Sequence, residues 1–155
     1  MMHLIYRNAA LFKFGLTWWA PYLGTGISVR HIACDYASIT VQMKPRWYNK
    51  NAFGTHFGGS LYAMCDPFYA LLLVARLGKG YYVWDKAATI EFVKPGTGCV
   101  TVVFDWSAEQ IAQIQAQTAQ GEKCYPQRTA HVLNAAGEIV ATVHKTLYVK
   151  KKPTP

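Results

Sequence analysis

From Ser60 to Leu77 the apolar positions keep to no single stripe. Leu61, Met64, Phe68, Leu71, Leu72 and Val74 go round the whole cylinder, and a helix apolar on every side is a buried helix. The pattern predicts one long central helix over about Gly58–Leu77, closed by Gly78-Lys79-Gly80. From Ser60 onward that helix is roughly 27 Å long at the usual rise. Upstream, residues 3 to 17 read as an amphipathic helix. Leu4, Ile5, Phe12, Leu16 and Trp19 fall near one face, with Arg7 and Lys13 away from it. Pro21, Gly24 and Gly26 end this N-terminal element, residues 1–20. Such a helix packs on its domain or at a subunit interface. With Trp18, Trp19 and the basic residues, the alternative is a helix lying on a membrane surface.

The rest of the pattern is mostly of period two. Ile27, Val29 and Ile32, then Ala37, Ile39, Val41 and Met43, read as a strand pair or one long strand bent near Cys34-Asp35. Strands follow over 81–94, 99–106, 128–133 and 138–149, with turns at Lys94 to Gly98 and Asn134 to Gly137. Between them the period switches: Ser107 with Gln110 makes a capping box, Ile111 and Ile114 share a face, and Gly121 stops a short inserted helix over about 108–119. Several antiparallel strands bury one hydrophobic helix by curling around it. The layout is therefore α+β, with helix inside sheet.

At 155 residues the chain reads as a single domain, 1–155, with a core of useful size. Apolar residues make up 52% and aromatics 14%, which excludes disorder. Only 15% are charged, which predicts that another subunit covers part of the surface. A formal net charge of +8 favours partners carrying phosphate or carboxylate. Part of it lies in a basic tail, 150–155, read as a solvated end. Cys34, Cys65, Cys99 and Cys124 form no C-x-x-C pair, so no metal site is expected, and reduced thiols suit a cytoplasmic protein. Asp66, Pro67 and Arg76 interrupt the central apolar run, so no membrane span is expected. Residues 9–20 are apolar apart from Lys13 but lack a clean signal-sequence pattern.

Asp66 is the residue with most chemistry in it. A lone carboxylate in an apolar helix is costly unless it is paired or has work to do. Either Tyr62, Tyr69 or a backbone group holds it for structure, or it faces a cleft as a catalytic group. Pro67 follows directly, so the helix should kink there and leave the Ala63 carbonyl without its usual partner.

The stretch N-A-F-G-T-H-F-G-G-S from Asn51 to Ser60 resembles the loop-helix motif of hotdog-fold acyl-CoA thioesterases of the phenylacetate-pathway type. Their pattern is N-x-x-G-x-x-H-G-G, with Asp or Glu seven residues after the second Gly. Asn51, Gly54, Gly58, Gly59 and Asp66 match, and Phe57 stands where the pattern has His. I-E-F-V-K-P-G at residues 90–96 and A-G-E-I-V-A-T-V-H-K-T-L-Y at 136–148 are similar to the strand after the central helix and the last hairpin of that superfamily. The likeness covers most of the chain beyond residue 25 and implies a hotdog fold, a curved antiparallel sheet wrapped around the central helix.

The resemblance also implies hydrolysis of acyl-CoA or acyl-carrier thioesters. Asp66 is the implied catalytic carboxylate, Asn51 its positioning residue, and His56 a substitute base or a plain loop residue. Asn51 also reads as an ordinary turn residue. Gly54, Phe57, Gly58, Gly59 and Ser60 are the implied substrate-binding set, with backbone N–H groups at Gly58 and Gly59 for the thioester oxygen. Such sites are paired across a homodimer, or a dimer of dimers. No cofactor is implied beyond the coenzyme A of the substrate. Two alternatives share the scaffold: a non-catalytic acyl-thioester binder, suggested by the missing His, and a dehydratase of 3-hydroxyacyl thioesters pairing His56 with Asp66. Nucleic-acid binding is disfavoured, because the basic residues form no stripe interleaved with aromatics.

Overall fold

The computed structural model describes residues 8–153. In chain order the elements are α1 (Ala9–Thr17), α2 (Ala20–Leu23), β1 (Ile27–Ile32), β2 (Ser38–Met43), α3 (Gly58–Ala63), α4 (Phe68–Leu77), β3 (Tyr81–Phe92), β4 (Val100–Asp105), α5 (Ala108–Gln117), β5 (Lys123–Cys124), β6 (Gln127–Leu133) and β7 (Ile139–Lys151). The strands form one antiparallel sheet in the order β1-β2-β4-β6-β7-β3, with β5 pairing the end of β7. The sheet wraps the apolar α3–α4 segment, which is the hotdog fold.

The alternation along the strands produces this burial. On β2, Ile39, Val41 and Met43 are buried, and on β4, Val100, Val102 and Phe104. They meet Leu61, Met64, Cys65, Phe68, Tyr69, Leu72, Leu73 and Leu77 of the central segment. Phe68 stacks on Phe104 and on Tyr22, and Tyr69 meets Phe104 and Trp106 edge-on. By length and composition Gly58–Leu77 passes for a membrane span, yet half of its apolar window is buried inside the protein. The turn near Cys34-Asp35 splits the 27–43 stretch into β1 and β2, with Tyr36 at a positive φ of 57°. The Ser107–Gln110 capping box is present and starts α5.

Several expectations change. The central helix is not continuous. It breaks over residues 64–67, because Pro67 has no N–H to donate. The Ala63 carbonyl is not orphaned: it accepts from the Asp66 N–H and the Tyr22 hydroxyl, both at 3.4 Å. The inserted helix ends at Gln117, two residues short of the expected 119. Leu4, Ile5 and Arg7 of the N-terminal helix lie outside the described residues. Within them, Phe12 is buried, but Trp19 is exposed, along with Leu11, Phe14 and Trp18. The expected basic tail starts later than residue 150: Lys150 and Lys151 belong to β7, opposite Tyr82 and Tyr81, and the Lys152 N–H bonds to Gly80. The sheet also assembles an aromatic and lysine patch that the linear order hides. Trp84 stacks on Tyr148 at 4.5 Å, with Lys86 over Tyr125 and Lys152 over Tyr82.

Candidate active site

The break in the central helix presents Asp66. Its carboxylate accepts from the Tyr62 hydroxyl at 2.9 Å and lies 3.3 Å from the Lys145 Nζ, with nearly half of the side chain exposed. Lys145 comes from β7, and its side chain is wholly buried. Its ammonium also bonds to the Asp66 backbone carbonyl at 2.6 Å and to the Asp85 carboxylate at 2.9 Å. A buried ammonium needs such partners, since removing it from water costs several kcal/mol. Burial pulls the Lys145 pKa down, but Asp85 and then Asp66 and Tyr62 more than offset this, so it stands above the ordinary lysine value. Burial raises Asp85 against the pull of Lys145, and its Oδ1 has no partner among the described residues. Tyr62 is raised too, by burial first and then by its bond to Asp66, and remains a donor. Cys65, next in sequence, is pushed up to about 12 by burial and is no nucleophile.

The loop before α3 forms a second half. Asn51 Oδ1 accepts from the Phe53 and Thr55 N–H groups, while its amide donates to Thr55 Oγ1 and the His56 carbonyl. These bonds fill the role of a turn residue, and Asn51 makes no hydrogen bond to Asp66 within the chain. Gly54 takes the positive φ of 76° that the turn needs. His56 is buried, whereas a plain loop histidine would be exposed. Its Nε2 donates to the Gly98 carbonyl at 2.7 Å, which leaves Nδ1 as an acceptor, buried and unpartnered among the described residues. Phe57 precedes the helix with its ring over Gly59, where a Cβ would lie 2.5 Å from it, and Phe92 covers Gly58 in the same way at 3.0 Å. The N–H groups of Ser60 and Leu61 turn back to the Phe57 carbonyl, and Ser60 is buried. Gly58 and Gly59 are the first two residues of α3, where the helix's own carbonyls offer no partner to the backbone N–H groups.

A cavity of 430 Å³ opens here between Phe53, His56, Leu61, Phe92 and Val93, with Lys94 at its edge. A larger hollow of 580 Å³ lies between α5 and β6, but it carries neither carboxylate nor histidine. Gly58 and Gly59 open α3, and Asp66 lies in the break after its last residue, Ala63, so the two halves lie at the two ends of that short helix. Sequence reasoning missed Lys145 and Asp85; the signal available was a lysine at an inward position of β7. His131 and His144 lie on the sheet's outer face, against Thr142 and Thr129. Among the described residues no three His, Cys, Asp or Glu side chains gather as a metal site.

The model of a family described as a domain of unknown function, DUF4442, matches residues 8–149. The chain belongs to that family. No curated protein matches this DUF4442 chain. Among solved structures it is similar to a Pseudomonas aeruginosa protein of unknown function described as a probable thioesterase. The TM-score is 0.84 at 18% identity, over 93% of this chain and 96% of that one. A Haemophilus influenzae thioesterase superposes with a TM-score of 0.67 at 14% identity, over 93% and 91% of the two chains. A Chlorobaculum tepidum protein of unknown function gives 0.72 at 15% identity, over 96% and 99%. At these identities the likeness establishes the fold alone.

Proposed function

We propose that this DUF4442 chain hydrolyses acyl-CoA or acyl-carrier thioesters at paired sites in a homodimer. The observation that carries the reading is Asp66, a half-exposed carboxylate fixed by Tyr62 and Lys145 at a break in the core helix. Tyr62 and Lys145 fix the orientation of a carboxylate that still reaches solvent, the arrangement a general base needs. Asp66 takes a proton from a water molecule as the water oxygen attacks the thioester carbon. The proton then passes to the departing thiolate. The Gly58 and Gly59 N–H groups stabilise the oxyanion. The 430 Å³ cavity beside Phe53, Phe92 and Val93 takes the apolar portion, with His56 held in its wall by the Gly98 carbonyl.

The separation of the halves along α3 calls for the loop of a second copy opposite Asp66. Strand β3 supports this assembly: it is twelve residues long and stands at the sheet's edge, with one side unpaired among the described residues. Antiparallel pairing of two β3 edges continues the sheet and brings Asp85 and its neighbours close to the joint.

The test is hydrolysis of a panel of acyl-CoAs, short, long and aryl, followed with a thiol-trapping dye. Turnover that disappears in Asp66→Ala is expected, with the fold retained. Full turnover in that variant removes Asp66 from the mechanism. Tight acyl-CoA binding without turnover in the unaltered protein favours the non-catalytic binder, the reading motivated by Phe57 in place of the motif His. Hydration of an enoyl thioester would favour the dehydratase; the tether of His56 to Gly98 weighs against it.

A further inference from the structure

One face of α1 packs on the sheet and the other has no partner among the described residues. Phe12 is buried against Tyr36. On the opposite side Leu11, Phe14 and Trp18, spaced i, i+3 and i+7, are 61%, 63% and 62% exposed. They form an apolar stripe pointing outward, which is the reverse of an ordinary surface helix. Two further apolar side chains of this N-terminal part are bare: Leu23 is half exposed, and Trp47, in the loop after β2 beside Tyr48, is 89% exposed. Exposed apolar patches of this kind mark interaction sites.

The charges around it indicate what the partner is. A hollow of 330 Å³ on the stripe, lined by Phe14, Trp18 and Lys13, shares Thr17 with a second hollow of 250 Å³. The second hollow is lined by Arg30, Lys44 and Arg46 together with Leu23 and Tyr48. None of these four cations pairs with a carboxylate among the described residues. Between residues 8 and 57 the chain carries Lys13, Arg30, Lys44, Arg46 and Lys50 against a single acid, Asp35. Asp35 caps the β1–β2 turn, accepting from the Ala37 N–H.

We propose that this face docks on an anionic lipid bilayer, with Phe14, Trp18 and Trp47 in the headgroup region and Arg30, Lys44 and Arg46 on the lipid phosphates. Tryptophan suits that depth because its ring is apolar and its N–H is polar. Basic residues flanking a short apolar stripe are the usual composition of an interfacial helix. A second copy is the poorer occupant. A two-fold contact places the same patch on both sides, so the four cations would face their own copies. An anionic surface complements them.

This surface is separate from Asp66, so the inference stands or falls independently of thioester turnover. The test uses the full chain with vesicles of phosphatidylcholine alone, and with equal parts of phosphatidylcholine and phosphatidylglycerol. Co-sedimentation with the anionic vesicles only is expected, together with a blue shift of tryptophan emission and release at high salt. Trp18→Ser should reduce the blue shift, leaving the part contributed by Trp47, and weaken binding. Arg30→Gln and Arg46→Gln should each weaken binding roughly fivefold. All three side chains are exposed or line an open hollow, so melting temperatures should match the parent and keep the comparison clean. Absence of vesicle binding overturns the proposal, as does equal binding to both compositions without salt dependence. Concentration-dependent self-association that Trp18→Ser removes, with no vesicle binding, would instead assign the patch to a second copy.

Discussion

Asn51 ties its loop with bonds that span two to five residues, whereas Asp66 is held by a lysine 79 residues away. The Asn51 turn is local and can take its shape before the sheet is complete, whereas His56 beside it waits for the 96–98 turn to close over it. The carboxylate half exists only once β7 has docked beside β3 and the helix break. The two halves also differ in their electrostatics. The loop half offers backbone donors, a buried imidazole and an apolar cavity. The other concentrates one ammonium and two carboxylates around a half-exposed oxygen. Binding should therefore respond to changes in the loop, and turnover and global stability to changes around Asp66.

The sharpest way to break that division is Asp66→Asn, which keeps shape and removes charge. Turnover should fall by roughly 10²–10⁴, the usual size of a general-base contribution, while acyl-CoA affinity by calorimetry stays close to the parent. A large loss of affinity instead would mean that the carboxylate half also binds.

Lys145→Met comes next, because it leaves Asp66 and Asp85 without their cation. Breaking a buried pair from one side costs about 3–5 kcal/mol, which denaturant unfolding would read. Its pH dependence has a definite sign. The folded Lys145 pKa is raised, so its contribution is fully present below the unfolded lysine value of about 10.4 and is lost as pH rises through the higher folded value. The stability gap between parent and variant should thus hold at neutral pH and close at strongly alkaline pH. A gap that closes on acidification down to neutrality would contradict the pairing.

His56→Gln tests the loop half. Losing the bond to Gly98 should cost about 1–3 kcal/mol of stability and raise KM, with kcat little changed. A collapse of kcat at unaltered stability would make His56 a base. Asn51→Ala should have the smallest effect, about 1 kcal/mol, since its partners are loop groups that water can serve. The matching readout is KM with acyl-CoA.

Much of this was legible in the chain. The alternation on the strands and the Ser107–Gln110 box are local patterns, and each became the element it implied; the all-round apolar run at Leu61 to Val74 became a buried central segment, but as two helices rather than one. The break at Pro67 was legible as a kink, though not that Tyr22 would supply a bond to the Ala63 carbonyl. His56 was misread because a loop histidine is usually exposed; here Gly96 and Gly98, forty residues on, close over it. Trp19, assigned to the buried face, is exposed, because the chain turns into α2 immediately after it.

The sequence by itself determined the fold class, the place of the helix break and the candidate carboxylate, because periodicity, proline and a charge in an apolar run act over a few residues. Only the tertiary structure decided that Lys145 and Asp85 hold that carboxylate, that His56 is buried, and that the outer face of α1 is left bare. These depend on the register of β7 against β3 and on which side of each helix meets the sheet. Such long-range pairings are fixed by the packing of the whole core rather than by any one stretch of it.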